Sequence, residues 1–425
     1  MTKPESQKPP LLPYEWPGTY FYGEEEMESV GKVLRSRSPY RFFGHDVQGY
    51  ANRVENTFCE RLGRKYAVLA SSGTTALSTA MMTADVGPGD EVLIPGYFWM
   101  SCPSSVIRAG AIPRLVDIDE SFTMNPDDLE RKINERTKAV LLVHMNGACG
   151  DVDRIVDICN RYDVTLIEDV AQANGGRYRG KFLGSFGDIA TFSFQVNKNI
   201  TAGEGGIVVC DDEVLGERLW AFHHLGYSRN DKGQFDPQGA IQSWGQGVHM
   251  SEVSAAIAYE QMQKLDQITA TMQTRNHQLY DGLSQIQGIT PRRRPDPEGD
   301  SGPFVIVTLP DADIAKELVE RTRAEGVRPG SQGASNIRVA DWGLHLHWEV
   351  TSLVNKQSVH SSGRPWTDPL NDFHTEITYQ KGILPVMEDL AERSIMITVP
   401  PIMSEELANQ VIEIYHHCAG EIGLS

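Results

Sequence analysis

In the stretch TFSFQVNKNITAGEGG, Lys198 stands between an apolar run that ends at Phe194 and the glycine cluster Gly203-Glu204-Gly205-Gly206. A lysine at a strand end, close to a phosphate seat, can form a Schiff base with a cofactor aldehyde. Taken alone, a lysine in a loop is far more often a solvated surface charge. Three further signals lie at the ends of apolar runs. In AVLASSGTTAL a strand passes through Ser71-Ser72-Gly73-Thr74 straight into a helix. The first N–H groups of a helix lack partners and carry partial positive charge, so this turn is a natural phosphate seat. Ser72 also suits a plain N-cap. In IEDVAQANG, Glu168 and Asp169 close an apolar strand. A carboxylate buried there stays charged only beside a cation or good donors, and a protonated pyridine nitrogen is one such cation. The other reading is an aspartate that begins the next turn. In PGYFWMS, Trp99 can stack on a flat heterocycle or simply fill core.

The four signals follow one another along a single strand–helix alternation. A phosphate cradle, a stacking ring, a carboxylate and then a lysine, with Ser193 on the strand before it, are the parts of a pyridoxal phosphate (PLP) site.

The elements that must position these residues are legible from periodicity. Val47, Tyr50, Val54, Phe58 and Leu62 recur at three- and four-residue steps and predict an amphipathic helix. KYAVLAS, DEVLIPG, IPRLVDI, AVLLVHM, VTLIEDV, IATFSF and GGIVVC read as strands, with helices between most of them. Such alternation implies α/β architecture, a mostly parallel sheet covered on both faces, with ligands beyond the C-terminal strand ends. The helical stretch from Ser251 closes this first domain, set at residues 20–288. RRRPDPEGDSG predicts a link or an exposed loop, and 289–425 a smaller α+β domain. Between its strands lies an irregular segment with Trp342, His345, His347, Trp348 and His360, of the kind that often carries function. Its histidines have no metal-ligand pattern, so no metal is expected.

The formal charge of -18 argues against nucleic acid or an anionic membrane as a partner. Six scattered cysteines without a CxxC pair predict reduced thiols. With a polar, proline-rich start and no apolar run of spanning length, the expectation is a cytoplasmic protein.

The run SSGTTAL…PGYFW…EDVAQANG…FSFQVNKNITAGEGG resembles the DegT/StrS family of PLP-dependent sugar aminotransferases, of fold type I. The resemblance extends from VQGYANRVENTFCERLG to ILPVMEDLAERSIMITVPPIMSEE, specific in the first domain and looser in the second. It implies a mixed, mostly parallel sheet sandwiched by helices. It makes Lys198 the Schiff-base lysine, Asp169 the partner of the pyridine nitrogen, and Gln172 the contact to the ring's 3-hydroxyl oxygen. Trp99 would stack on the cofactor, while Ser72, Gly73, Thr74 and Ser193 would hold its phosphate. It also implies a homodimer with sites at the interface. One departure is GQGVHMSE, where the family often has an Asn and an Arg: Gly247 and His249 stand in their places. Family dehydratases carry His at the lysine position, so Lys198 favours transamination, from glutamate or glutamine to a keto or aldehyde sugar or a cyclitol. The alternatives are a PLP-dependent elimination and a PLP-binding, non-catalytic regulator. Arg229 and Arg338 are candidate anchors for the donor carboxylate.

Overall fold

The computed structural model describes residues 8–13, 16–230, 234–330 and 333–424. Its centre is a seven-stranded sheet formed by β1 (Tyr66–Ala70), β2 (Glu91–Pro95), β3 (Ile112–Val116), β4 (Thr137–Val143), β5 (Thr165–Asp169), β8 (Ile189–Ser193) and β9 (Gly206–Cys210). A small hairpin, β6 (Arg177–Tyr178) and β7 (Lys181–Phe182), interrupts the series. The order is β1-β9-β8-β5-β4-β2-β3, and β9 alone runs antiparallel to its neighbours. Successive residues face opposite sides of a strand. Accordingly Val68 and Ala70 join one apolar core while Ala67 and Leu69 join another on the far side. A sheet buried on both faces explains strands that read as continuous apolar runs rather than as alternations.

Helices α1 (Glu24–Ser36), α2 (Tyr50–Leu62), α3 (Gly73–Thr83), α4 (Ser101–Ala109), α5 (Pro126–Lys132), α6 (Val152–Tyr162), α7 (Glu213–His223) and α8 (Glu252–Ser284) cover the sheet. The predicted apolar stripe of α2 is buried at Tyr50, Val54, Phe58 and Leu62, whereas Val47 precedes the helix. Its first N–H groups have no side-chain cap of their own. The buried Glu252 carboxylate accepts from Tyr50 N (2.8 Å) and Ala51 N (2.9 Å), which seats α2 against the start of α8.

A second, antiparallel sheet, ordered β10-β11-β13-β12, comprises β10 (Thr290–Pro291), β11 (Phe304–Thr308), β12 (Ile337–Arg338) and β13 (Ser394–Thr398). It carries α9 (Ala312–Ala324), α11 (Pro385–Arg393) and α12 (Glu405–Glu421), whereas α10 (Thr351–Val354) lies beside α4. The segment RRRPDPEGDSG, expected to be a link or an exposed loop, is exposed at Arg293, Pro297 and Glu298 but buried at Arg292 and from Gly299 to Gly302. Arg292 and Asp300 are buried and paired with each other, and the Arg294 guanidinium lies over Tyr280 at 3.8 Å. Ion pairing and ring stacking let a charged segment enter the interior, which composition alone cannot reveal. Between β12 and β13 the chain makes a long excursion back to the large sheet. Asn371 accepts from Gly89 N (2.7 Å) and donates to the Gly110 carbonyl (2.9 Å), and the Tyr379 hydroxyl donates to the Pro113 carbonyl (2.7 Å). No helix among the described residues is long and apolar enough to cross a membrane.

Candidate active site

Strands β1, β2, β4, β5 and β8 end, and β9 begins, along one edge of the large sheet, where a cavity of about 560 Å3 opens. The structure brings Ser72, Gly73, Thr74, Trp99, Asp169, Gln172, Ser193 and Lys198 to its walls.

Three of these belong to the opening of α3. Ser72 is the N-cap: its hydroxyl accepts from Thr75 N (3.1 Å), and its carbonyl accepts from Ala76 N (3.0 Å). The N–H groups of Gly73 and Thr74 have no partner among the described residues. Two orphan donors at a helix N-terminus form an anion seat, with the Ser193 hydroxyl alongside. Glycine is required at two points here. A Cβ on Gly73 would lie 2.8 Å from the Ser193 Cβ, and one on Gly206 would lie 2.6 Å from the Ser72 carbonyl oxygen. The helix start can approach β8 and β9 this closely only because both side chains are absent.

The adjacent acids Glu168 and Asp169 have separate roles because the strand turns them to opposite sides. Glu168 is fully buried and accepts from Gly187 N (2.7 Å), Phe186 N (2.8 Å), Gly184 N (2.9 Å) and the His144 Nε2 (3.1 Å). Burial works to raise its pKa, but the His144 hydrogen bond, the His144 charge and the backbone donors prevail and hold it below the usual value. Glu168 therefore staples the β6–β7 region to β5. Replacing Glu168 with Ala leaves four donors without an acceptor and is expected to cost about 3–5 kcal/mol of stability. Urea unfolding measures this; a loss near zero would contradict the assignment. Because its folded pKa is depressed, this stabilisation is complete above the ordinary carboxylate range and is lost as pH falls through the folded value.

Asp169 faces the cavity. Its Oδ1 accepts from Ala171 N (3.0 Å), and the Cys102 thiol sits 3.5 Å from Oδ2. Burial pushes its carboxyl above the usual range, with the Ala171 N–H and the nearby Lys198 working against that rise. Burial likewise pulls the Lys198 ammonium below its usual value, opposed by the Asp169 charge. Neither a hydrogen bond nor an ion pair holds the Lys198 amine among the described residues, although its backbone N–H donates to the Gln195 carbonyl (2.9 Å). Gln172 accepts from Asn146 N (2.9 Å) with its Oε1, which leaves its NH2 group as the one to offer to a ligand oxygen. Trp99 is 42% exposed and so is open at the cavity rather than packed as core. The set offers N–H donors for a phosphate, a carboxylate short of a cation, an amide donor and an unbonded amine. That chemistry fits PLP.

Sequence reasoning missed His144 and Cys102. His144 ends the apolar run AVLLVHM, a polar residue at a strand end like Asp169, while nothing marks Cys102 among six cysteines. Of the five residues singled out in this segment by sequence, Trp342 and His345 line the cavity, whereas His347, Trp348 and His360 do not. Neither candidate carboxylate anchor reaches it. Arg338 pairs with Asp341 (2.8 Å) and Glu392 (3.3 Å), and Arg229 lies over Phe42 and Phe235, 4.6 Å from each ring. Gly247 adopts a left-handed φ of 64° in a hairpin segment away from the cavity, and His249 bridges to Ala70 and packs against His224, ring centroids 4.3 Å apart.

The architecture is that of the fold type I aminotransferases. The chain superposes on 3-amino-5-hydroxybenzoic acid (AHBA) synthase with a TM-score of 0.77 at 24% identity, covering 97% of this chain and 100% of that one. The aminotransferase TlmJ from Streptoalloteichus hindustanus gives a TM-score of 0.76 at 24% identity, with 97% and 100% covered. Spr1654 of Streptococcus pneumoniae, in its PLP form, gives 0.75 at 20% identity, with 97% and 99% covered. The model of the DegT/DnrJ/EryC1/StrS aminotransferase family matches residues 22–330, and the chain belongs to that family. It is thus an aminotransferase, and the family depends on PLP.

Proposed function

We propose that the protein transfers an amino group from glutamate or glutamine to the carbonyl of a sugar or cyclitol, in two half-reactions that use one site. The observation that carries this reading is the pair formed by Asp169 and Lys198. Asp169 is buried, Lys198 is half-buried, and both are turned to one cavity; each is displaced from its ordinary pKa in the direction that a charged cofactor ring and a carbonyl partner would relieve. When bound, PLP supplies a carbonyl to hold the donor's amine and a protonated ring to take up the electron pair left at the α-carbon. Gly73 and Thr74 N–H, with the Ser193 hydroxyl, would hold the phosphate. Asp169 would keep the ring nitrogen protonated, Gln172 would donate to the ring oxygen, and Trp99 would cover a face. The Lys198 amine, its proton affinity lowered by burial, would take the α-proton from the donor and return it on the far side of the donor nitrogen, two bonds away. In the second half-reaction it moves the proton in the reverse sense for the acceptor.

The test is an absorption spectrum of the protein incubated with PLP, followed by titration with glutamate and then glutamine. Yellow absorbance that one donor bleaches, with one equivalent of oxo acid formed per site, is the expected result. A protein left colourless by PLP overturns the reading, and release of ammonia without retention of the amino group points to elimination.

The site functions in a homodimer. The segment around Gly247 supports this: Trp244 is 87% exposed, and Leu225, Tyr227 and Phe235 are exposed beside it, as is Phe43 in the turn before α2. Apolar exposure on this scale calls for a partner, and a second copy provides a self-matching one. Trp244→Glu is expected to weaken dimerisation by about thirtyfold or more, as for a buried tryptophan anchor. Sedimentation at micromolar concentration measures it, and an unchanged dimer would place the interface elsewhere.

A further inference from the structure

The family match ends at residue 330, and the excursion between β12 and β13 lies beyond it. The two residues that this excursion sends to the cavity are built as one unit. The His345 imidazole lies flat on the Trp342 indole, ring centroids 3.6 Å apart and planes 11° from parallel. Trp99 leans on the same imidazole at 4.8 Å and 44°. The backbone fixes this position: Phe98 N donates to the His345 carbonyl (3.0 Å), and Tyr97 bridges to Leu346.

The tautomer follows from the hydrogen bonds. His345 Nδ1 is 2.9 Å from the Trp342 carbonyl, which can only accept, so Nδ1 carries the proton. Nε2 is then a lone pair, with no partner among the described residues, on a residue that lines the cavity. Burial pulls the imidazole down to about 4, against the Trp342 hydrogen bond and with help from the Lys198 charge, so the ring is neutral near pH 7. A neutral acceptor on a flat aromatic plate is ill suited to a donor's carboxylates, which it would repel. It suits a ring bearing hydroxyl donors at its rim and C–H bonds on its face. The other described lining residues agree, for Lys198 is the one lysine or arginine among them, beside the acids Asp169 and Glu204.

We propose that Trp342 and His345 form the acceptor subsite: the stacked plate receives the C–H face of an uncharged, hydroxylated cyclic ketone, and His345 Nε2 accepts a hydrogen bond from one of its hydroxyls. This rests on the aminotransferase reading and specifies the acceptor for it. The pair acts on recognition in the second half-reaction, whereas Lys198 and Asp169 act in both.

The experiment measures the two half-reactions separately on full-length protein. Bleaching by the amino donor reports the first. Return of the yellow absorbance on adding inososes or hexopyranosid-uloses to the pyridoxamine phosphate form reports the second. His345→Phe keeps a flat ring on Trp342 and removes the lone pair; His345→Gln restores an acceptor oxygen. We expect His345→Phe to lower kcat/KM for the ketone by about tenfold or more, mainly through KM, and by clearly less for the donor. His345→Gln should recover part of the loss. An equal loss in both half-reactions, or none in either, overturns the inference. If His345→Phe does not fold, the wild type decides: it should discriminate by a similar factor against ketone analogues lacking one ring hydroxyl, and indifference to every such deletion overturns the inference. A wild type that completes the donor half-reaction yet reacts with none of these ketones also overturns it, leaving the aminotransferase reading intact. Failure of the donor half-reaction itself removes both.

Discussion

With Lys198 replaced by alanine, turnover is expected to fall by at least about 10⁴-fold, the upper end of what a positioned acid–base group contributes. The loss follows from the composition of the cavity. Lys198 is the one lysine among its described lining residues, so no second amine stands ready to carry the α-proton. The fold is expected to survive, because the amine makes no hydrogen bond or ion pair among the described residues and burial already disfavours its charge. Oxo acid formation measured alongside circular dichroism separates the two effects. A small added alkylamine should restore part of the activity by entering the vacated volume. Activity within tenfold of the wild type would remove Lys198 from the chemistry.

Asp169→Asn is expected to lower kcat by about 10²–10³-fold, the range for losing one preorganised electrostatic stabiliser. Asparagine fills the same space and can still accept from Ala171 N, but it carries no charge to keep a ring nitrogen protonated. The same substitution has an opposite effect on the cofactor-free protein. There burial raises the Asp169 carboxyl, so the folded state binds its proton more tightly than the unfolded chain does. The cofactor-free wild type therefore gains stability as pH falls through that raised value, and loses it again at higher pH where the carboxylate must be charged. The cofactor-free Asp169→Asn variant lacks this dependence and should melt no lower than the wild type at neutral pH. A variant that is both active and less stable than the wild type would show that the carboxylate serves the fold instead.

The local signals on the sheet edge were legible because each is a contiguous run: an apolar strand followed by SSGTT, by EDVAQ or by the glycines after Lys198. Strand alternation gave the α/β layers, and the structure adds that β9 runs against its neighbours, a detail that strand patterns do not encode. Contacts between residues distant in sequence were not legible. Nothing in IEDV separates Glu168 from Asp169, and the distinction comes from His144 and the Gly184–Gly187 N–H groups that meet only one of them. The charges of RRRPDPEGDSG suggested solvent, whereas Arg292 found Asp300 eight residues on. Among Trp342, His345, His347, Trp348 and His360, composition marked the segment but could not choose the two that face the cavity. His347 turned inward, its Nδ1 3.0 Å from the Tyr379 carbonyl.

The antiparallel β9 also has a bearing on the order in which the protein becomes competent. It inserts between β1 and β8, pairing Tyr66 with Cys210 and Ala70 with Gly206 across more than a hundred residues of intervening chain. Closing so long a loop is slow compared with forming local structure. Synthesis delivers the Gly73 turn well before the Lys198 loop, and until β9 zips into place the two are not held to the same edge. The loop itself is then drawn tight by Thr201, whose hydroxyl donates to the Phe194 carbonyl (2.9 Å). Cofactor capture thus becomes possible only after the longest-range pairing of the sheet is complete. Colour acquired during refolding would serve as a clock for that step rather than for collapse of the chain.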